Sequence, residues 1–150
     1  MPRIANKKFK IKPGAVIITK NEAQMVGTEL NKLMTEKEQE LKPIDVVEYA
    51  RPTNSKLHKF FDWNDSTAAE KYRKCQARNL LNSVVEVVII KGKPAEVKSF
   101  FNVQNSEAKD VYVTLETVTY NKDYRRQLLE DANKYLENLM HTIKLLEKHI

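Results

Sequence analysis

The sequence predicts an α+β fold: a tri-helical, helix-turn-helix-like unit, a small antiparallel sheet, and a long amphipathic C-terminal helix. Three patterns carry this expectation. Apolar residues recur at three- and four-residue steps in several stretches before residue 82. Short β-branched runs follow between residues 84 and 115. From Leu129 to Ile150 the apolar spacing is 3, 4, 3, 4, 3, 4, a strict heptad. The 150 residues suit one domain with an appendage. The expected division is a basic N-terminal arm with a strand (1–20), a helical unit with a hairpin and small sheet (21–120), and a heptad helix (121–150).

Taken in order, Phe9 and Ile11, then Val16 to Ile18, suggest a strand or strand pair around a Pro13-Gly14 turn. Asn21 is a candidate cap for a helix whose face is Ala23, Val26, Leu30, Leu33 and Met34, with the polar stretch 35–41 ending it. Pro43 suits the first position of the next helix, where a missing N–H costs nothing. Ile44, Val47, Tyr49 and Ala50 are its apolar side, and Arg51-Pro52 stops it. Leu57, Phe60, Phe61 and Trp63 predict a second short helix over 55–62. Asn64, Asp65 and Ser66 offer caps for a helix over 67–81, with Ala69, Tyr72, Gln76 and Leu80 along one side. Val84 to Ile90 reads as a strand, Lys91 to Pro94 as a turn, Val97 to Val103 as one returning strand, and Val111 to Leu115 as a third.

Composition removes several function classes. Three glycines, Gly14, Gly27 and Gly92, cannot make a glycine-rich phosphate loop. A single cysteine, Cys75, excludes an intrachain disulfide and a multi-cysteine zinc site. No apolar run approaches the ~18 residues a membrane helix needs. Ala15 to Ile18 is too short for a signal-peptide core, so a cytoplasmic location is expected.

Charge is unevenly placed. The net charge is +6, and residues 1–20 hold Arg3, Lys7, Lys8, Lys10, Lys12 and Lys20 with no acid. The remaining chain is balanced, with 20 basic and 20 acidic side chains. A cationic arm on a neutral body fits polyanion binding, because phosphate contacts release counterions; the plain alternative is a solvated, solubilising arm. Lys71, Lys74 and Arg78 form a second stripe along the 67–81 helix, and Lys91 and Lys93 flank the hairpin turn. If that helix enters a major groove, Arg78 suits guanine and Gln76 or Asn79 suits adenine. The plain alternative is again a solvated helix face.

Residues 55–80 carry a denser pattern: Ser55-Lys56-Leu57-His58, Phe61-Asp62-Trp63-Asn64-Asp65, Ala68-Ala69, Tyr72-Arg73 and Gln76-Ala77-Arg78. This string resembles a family of small, uncharacterised phage and prophage proteins, whose pattern has proline, glutamate and aspartate where this chain has Lys56, Asp62 and Asn64. The resemblance implies a phage or mobile-element origin and transfers no catalytic residue.

Other candidates have ordinary readings. His58 and Asp62, four apart, can orient an imidazole, but a local hydrogen bond explains them as well. Trp63 is a base-stacking platform or core. Asp62 and Asp65 can hold a cation, or cap a helix. Cys75 reads as a semi-buried structural thiol. Leu129, Leu136, Leu139, Ile143 and Leu146 form an oligomer seam or pack on their own domain. The expectation is thus a phage-type, non-enzymatic protein that binds duplex DNA as a homo-oligomer, without cofactor, metal or small-molecule substrate. The alternative is a virion-assembly or protein-interaction component; an enzyme built around His58 and Asp62 ranks third.

Overall fold

The computed structural model describes residues 7–64 and 67–149. Arg3, Asp65, Ser66 and Ile150 therefore lie outside the described residues. The architecture is α+β, in the order β1 (Phe9–Ile11), α1 (Ala23–Glu36), α2 (Pro43–Ala50), α3 (Thr67–Leu81), β2 (Val84–Ile90), β3 (Lys93–Lys98), β4 (Phe100–Gln104), β5 (Asp110–Thr114), α4 (Leu115–Tyr120) and α5 (Lys122–Glu147). Among the described residues two antiparallel sheets form, β1-β2-β3 and β4-β5.

The helices follow their apolar periodicity. Ala23, Val26, Leu30, Leu33 and Met34 bury the inner face of α1. A 3₁₀ turn over Lys20–Glu22 precedes α1, and Thr19, rather than Asn21, begins it: Glu22 Oε1 accepts from the Thr19 N–H at 2.9 Å. Pro43 opens α2 as expected.

Ile11 pairs with Val84, and Lys10 pairs with Val85, which in turn pairs with Lys98 of β3. The turn between β2 and β3 is Lys91-Gly92, with φ of 51° and 77°. Two left-handed residues match the twist of a two-residue hairpin. The inner face of this sheet meets α1, where the Phe9 ring occupies the space a side chain at Gly27 would need: a Cβ there would lie 2.1 Å from Phe9 Cγ. Gly27→Ala must push β1 off the helix, and overpacking of this kind costs about 1–3 kcal/mol. The expected result is a lower urea midpoint with faster amide exchange in residues 9–11; unchanged exchange there would contradict the packing.

Two cores result. The larger joins α1, α2, the 55–62 segment, the end of α3, Phe9, Val84, Phe100 and Tyr112. The smaller lies between β4, β5, α4 and the first turns of α5: Val103, Val111, Val113, Val118 and Tyr124, with Phe101 and Leu128 against it.

Four local expectations are corrected. Residues 16–18 form no strand; after the Pro13-Gly14 turn the chain runs past the end of α3 and buries Ile18. The 55–62 segment is a single 3₁₀ turn, His58–Phe60. The α2–α3 connection is thus far longer than the 3–4-residue turn of a helix-turn-helix motif. The run from Val97 to Val103 is two strands, because the chain changes sheets at buried Ser99: Lys98 still pairs with Val85, whereas Phe100 pairs with Thr114. Leu115 begins α4, capped by the Thr114 side chain, instead of ending a strand.

Candidate nucleic-acid interface

Strand alternation sorts the N-terminal lysines. Phe9 and Ile11 point toward α1, so Lys8, Lys10 and Lys12 point away from it. The ladder extends past β1 at both ends: Lys8 O accepts from Val87 N at 3.1 Å and Lys12 N donates to Ser83 O at 2.8 Å. These residues are therefore part of the sheet and not a free arm.

The outward residues of the three strands are Lys8, Lys10 and Lys12, then Val85, Val87 and Ile89, then Pro94, Glu96 and Lys98. Four lysines thus share this face with one acid, Glu96, which lies 3.6 Å from Lys10 Nζ. Lys98, which sequence reasoning missed, sits with its ammonium 6.0 Å from the Phe101 ring. Burial, then the nearby charge of Lys12, push its pKa below the usual lysine value. The signal that could have found it is the hairpin register: a two-residue turn at 91–92 places residue 98 beside residue 85, and the pairing of β1 then puts Lys10 on the other side of Val85.

Lys7 departs from the expected set of phosphate contacts. It points to the opposite side of the strand, with its ammonium 2.6 Å from Glu116 and 3.6 Å from buried Glu86. Burial drives the Glu86 pKa upward, the Lys7 charge opposes this, and the net shift is a rise. Lys7 neutralises a buried carboxylate and has no charge to offer outside.

On α3 the buried line is Ala69, Arg73, Ala77, Leu80 and Leu81, so Tyr72 faces solvent and Gln76 lies at the rim. Lys71 and Arg78 are exposed and Lys74 is half-buried. Cys75 is exposed, not semi-buried, and its Sγ is 3.9 Å from Arg78 Nη1. The 12–17 loop and the end of α3 share a cavity of about 330 Å³, lined by Lys12 through Ile17 with Asn79, Asn82 and Ser83. Lys12 borders this cavity beside Asn79, near the end of α3, whereas Lys71, Lys74 and Arg78 do not line it. Lys91 and Lys93 are exposed at the hairpin tip beside the exposed side chains of Ile89 and Ile90.

No family model, curated protein or solved structure matches the chain.

The dense pattern at 55–80 builds a structural lock. The Trp63 ring is stacked on His58 at 4.8 Å, with the Arg51 and Arg73 guanidinium groups 5.5 and 5.4 Å from its centroid. Trp63 Nε1 donates to His58 O at 2.8 Å, and His58 Nδ1 donates to Ala50 O at 2.9 Å. Arg73 Nη1 donates to the carbonyls of Asp62 and Asn64, Nη2 donates to Glu70, and Gln76 Oε1 accepts from Asp62 N. The loop backbone thus bonds to α3 side chains, which is why it does not wind into a helix. His58 and Asp62 do not pair with each other; each is held by other partners. Among the described residues of the pattern, Lys56, Asp62, Asn64, Tyr72 and Arg78 are exposed.

The second site is α5. Its first turns are anchored: Tyr124 is buried, and Gln127 exchanges two hydrogen bonds of 2.9 Å with the Gln104 backbone. From Leu129 to His149 every residue is exposed. Leu129, Leu136, Leu139, Ile143 and Leu146 are 44–64% exposed, so the seam does not pack within its own domain. Among the described residues, no helix is long and apolar enough to cross a membrane.

Proposed function

We propose that this protein binds duplex DNA, without catalysing a reaction, as a homo-oligomer joined through α5. The observation that carries the reading is the outer face of the β1-β2-β3 sheet, where Lys8, Lys10, Lys12 and Lys98 crowd together against one carboxylate. Like charges held this closely repel one another, and a phosphate backbone relieves that repulsion. Lys71, Lys74 and Arg78 on α3 and Lys91 at the hairpin tip are further candidate contacts, whereas Lys93, paired with Ile90, lies on the face of β3 opposite Lys98. Association through α5 multiplies these contacts without new chemistry. The resemblance to small phage proteins accords with this role but adds no residue to it.

The test is fluorescence anisotropy on a random-sequence duplex across a salt series. Each phosphate contact contributes roughly 0.9 to the slope of log affinity against log salt. Replacing Lys8, Lys10 and Lys98 by alanine is therefore expected to flatten the slope by about 2.7 per protomer and to weaken all sequences alike. No binding at low salt, or an unchanged slope in the variant, overturns the reading. Truncation of residues 1–20 is unsuitable, because it removes Phe9 and Ile18 from the core.

A second reading, an assembly component that uses α5 to join other chains, is favoured by the free seam itself. It predicts an intact oligomer with no affinity for DNA.

A further inference from the structure

A helix of this length gains most of its stability in water from packing. The exposed two-thirds of α5 has no such packing within the chain. We propose that its occupant is the same helix of a second copy, running antiparallel, so that the two bodies sit at opposite ends of a two-helix rod. This deepens the oligomer part of the reading above and does not depend on DNA.

Three features of the seam set the direction. The first is size. In a parallel, in-register pair Ala132 would face Ala132 of the partner subunit, leaving a thin layer between layers of leucine. Antiparallel alignment about the midpoint of residues 137 and 138 places Ala132 against the partner's Ile143, Leu129 against the partner's Leu146, and Leu136 against the partner's Leu139. Small then meets β-branched, and large meets large, along the whole seam.

The second feature is charge. Residues 129–137 hold Glu130, Asp131 and Glu137 against Lys134, whereas residues 138–149 hold Lys144 and Lys148 against Glu147. Parallel pairing sets the acidic half beside itself. Antiparallel pairing sets it beside the basic half.

The third is the flank. With Leu129 at position a, Arg126 and Glu147 both fall at position e. Antiparallel helices bring e beside e, so Arg126 meets the partner's Glu147 twice per dimer. Arg126 is free to do so, since its side chain is exposed and only loosely paired with Asp123 at 3.7 Å. In a parallel pair the flanking contacts are Leu128 with the partner's Asn133, Tyr135 with the partner's Met140, and Thr142 with the partner's Glu147, none of which joins opposite charges. The seam from Leu129 to Leu146 spans about 26 Å at 1.5 Å per residue, which fixes the separation of the two bodies.

The test uses the full chain with Cys75→Ser, which removes the exposed native thiol. Two versions carry one cysteine each, Ala132→Cys or Ile143→Cys. Both positions are exposed in the single chain, so neither change touches the core. The versions are mixed under reducing conditions and then oxidised, and non-reducing electrophoresis reads the product. The expected result is a disulfide-linked pair in the mixture and little or none from either version alone. Light scattering of the parent chain is expected to give twice its 17.5 kDa mass. Self-linking of the single versions indicates a parallel pair and overturns the proposal, as does a mixture that fails to link. A mass of one chain, or of more than two, also overturns it.

Discussion

Replacing both Leu136 and Leu139 by aspartate is expected to reduce the protein to single chains and to lower helix content along the exposed part of α5, while both cores stay folded. Both leucines are half-exposed in the single chain, so their loss removes little from either core. Between two copies they form the central layers, four side chains in all. Fully burying one leucine contributes about 1.5–3 kcal/mol, so covering the exposed half of each of the four accounts for roughly 3–6 kcal/mol of association. Aspartate forfeits that and would further have to bury a charge. The dissociation constant therefore rises by on the order of 10²- to 10⁴-fold from the lost leucines alone, since each ~1.4 kcal/mol is tenfold. Sedimentation equilibrium reads the mass and circular dichroism reads the fold. Apparent DNA affinity falls in the same variant through lost avidity, with the salt slope per protomer retained. A variant that stays associated would place the interface elsewhere.

The largest effect on stability is expected from Arg73→Ala. The Arg73 side chain is 6% exposed, bonds two loop carbonyls and Glu70, and covers one face of Trp63. Alanine leaves the carbonyls of Asp62 and Asn64 unpaired and strips the packing from the indole. The combined cost is about 3 kcal/mol, which for a chain of this length lowers the melting temperature by roughly 10 °C. Arg73→Lys recovers little, because an ammonium lacks the planar fork that serves several acceptors and stacks on a ring. Urea titration followed by Trp63 fluorescence measures both stability and exposure of the indole. A loss below about 1 kcal/mol would mean the lock contributes little.

A second ionic cluster shows how burial changes local chemistry. Tyr49 donates its hydroxyl to Glu29, while Lys32 and Lys56 lie 3.5 and 3.6 Å from the same carboxylate. Burial opposes ionisation of Glu29, but the tyrosine hydrogen bond and the two lysines outweigh it, and its pKa falls below the usual value. Burial and the carboxylate push Tyr49 up to about 12. This group joins α1 to α2, and the apolar pattern of neither helix announces it.

Much of the architecture was legible because it depends on neighbours in sequence. The α1 face and the start of α2 follow from three- and four-residue spacing and from Pro43. The bounds of α3 and β2, Thr67–Leu81 and Val84–Ile90, agree with the pattern of their own residues. Expectations failed where a distant partner intervened. Leu57, Phe60, Phe61 and Trp63 have the spacing of a helix over 55–62, yet Arg73 and Gln76 bond the backbone groups of Asp62 and Asn64 instead. Residues 97–103 are continuous in β character, yet they serve two sheets.

The candidate interface divides along the same line. The surplus of positive charge in the first twenty residues, and the heptad that ends the chain, are properties of residue order alone. Which lysines are free is not. Lys7 and Lys8 are adjacent and chemically alike, but one is neutralised by a glutamate 109 residues away and the other faces outward. Periodicity is local because backbone geometry repeats over a few residues. Charge compensation belongs to the fold because it depends on distance in space, and only the pairing of β1 with β2 brings Lys7 to Glu86 and Lys10 to the row that ends in Lys98.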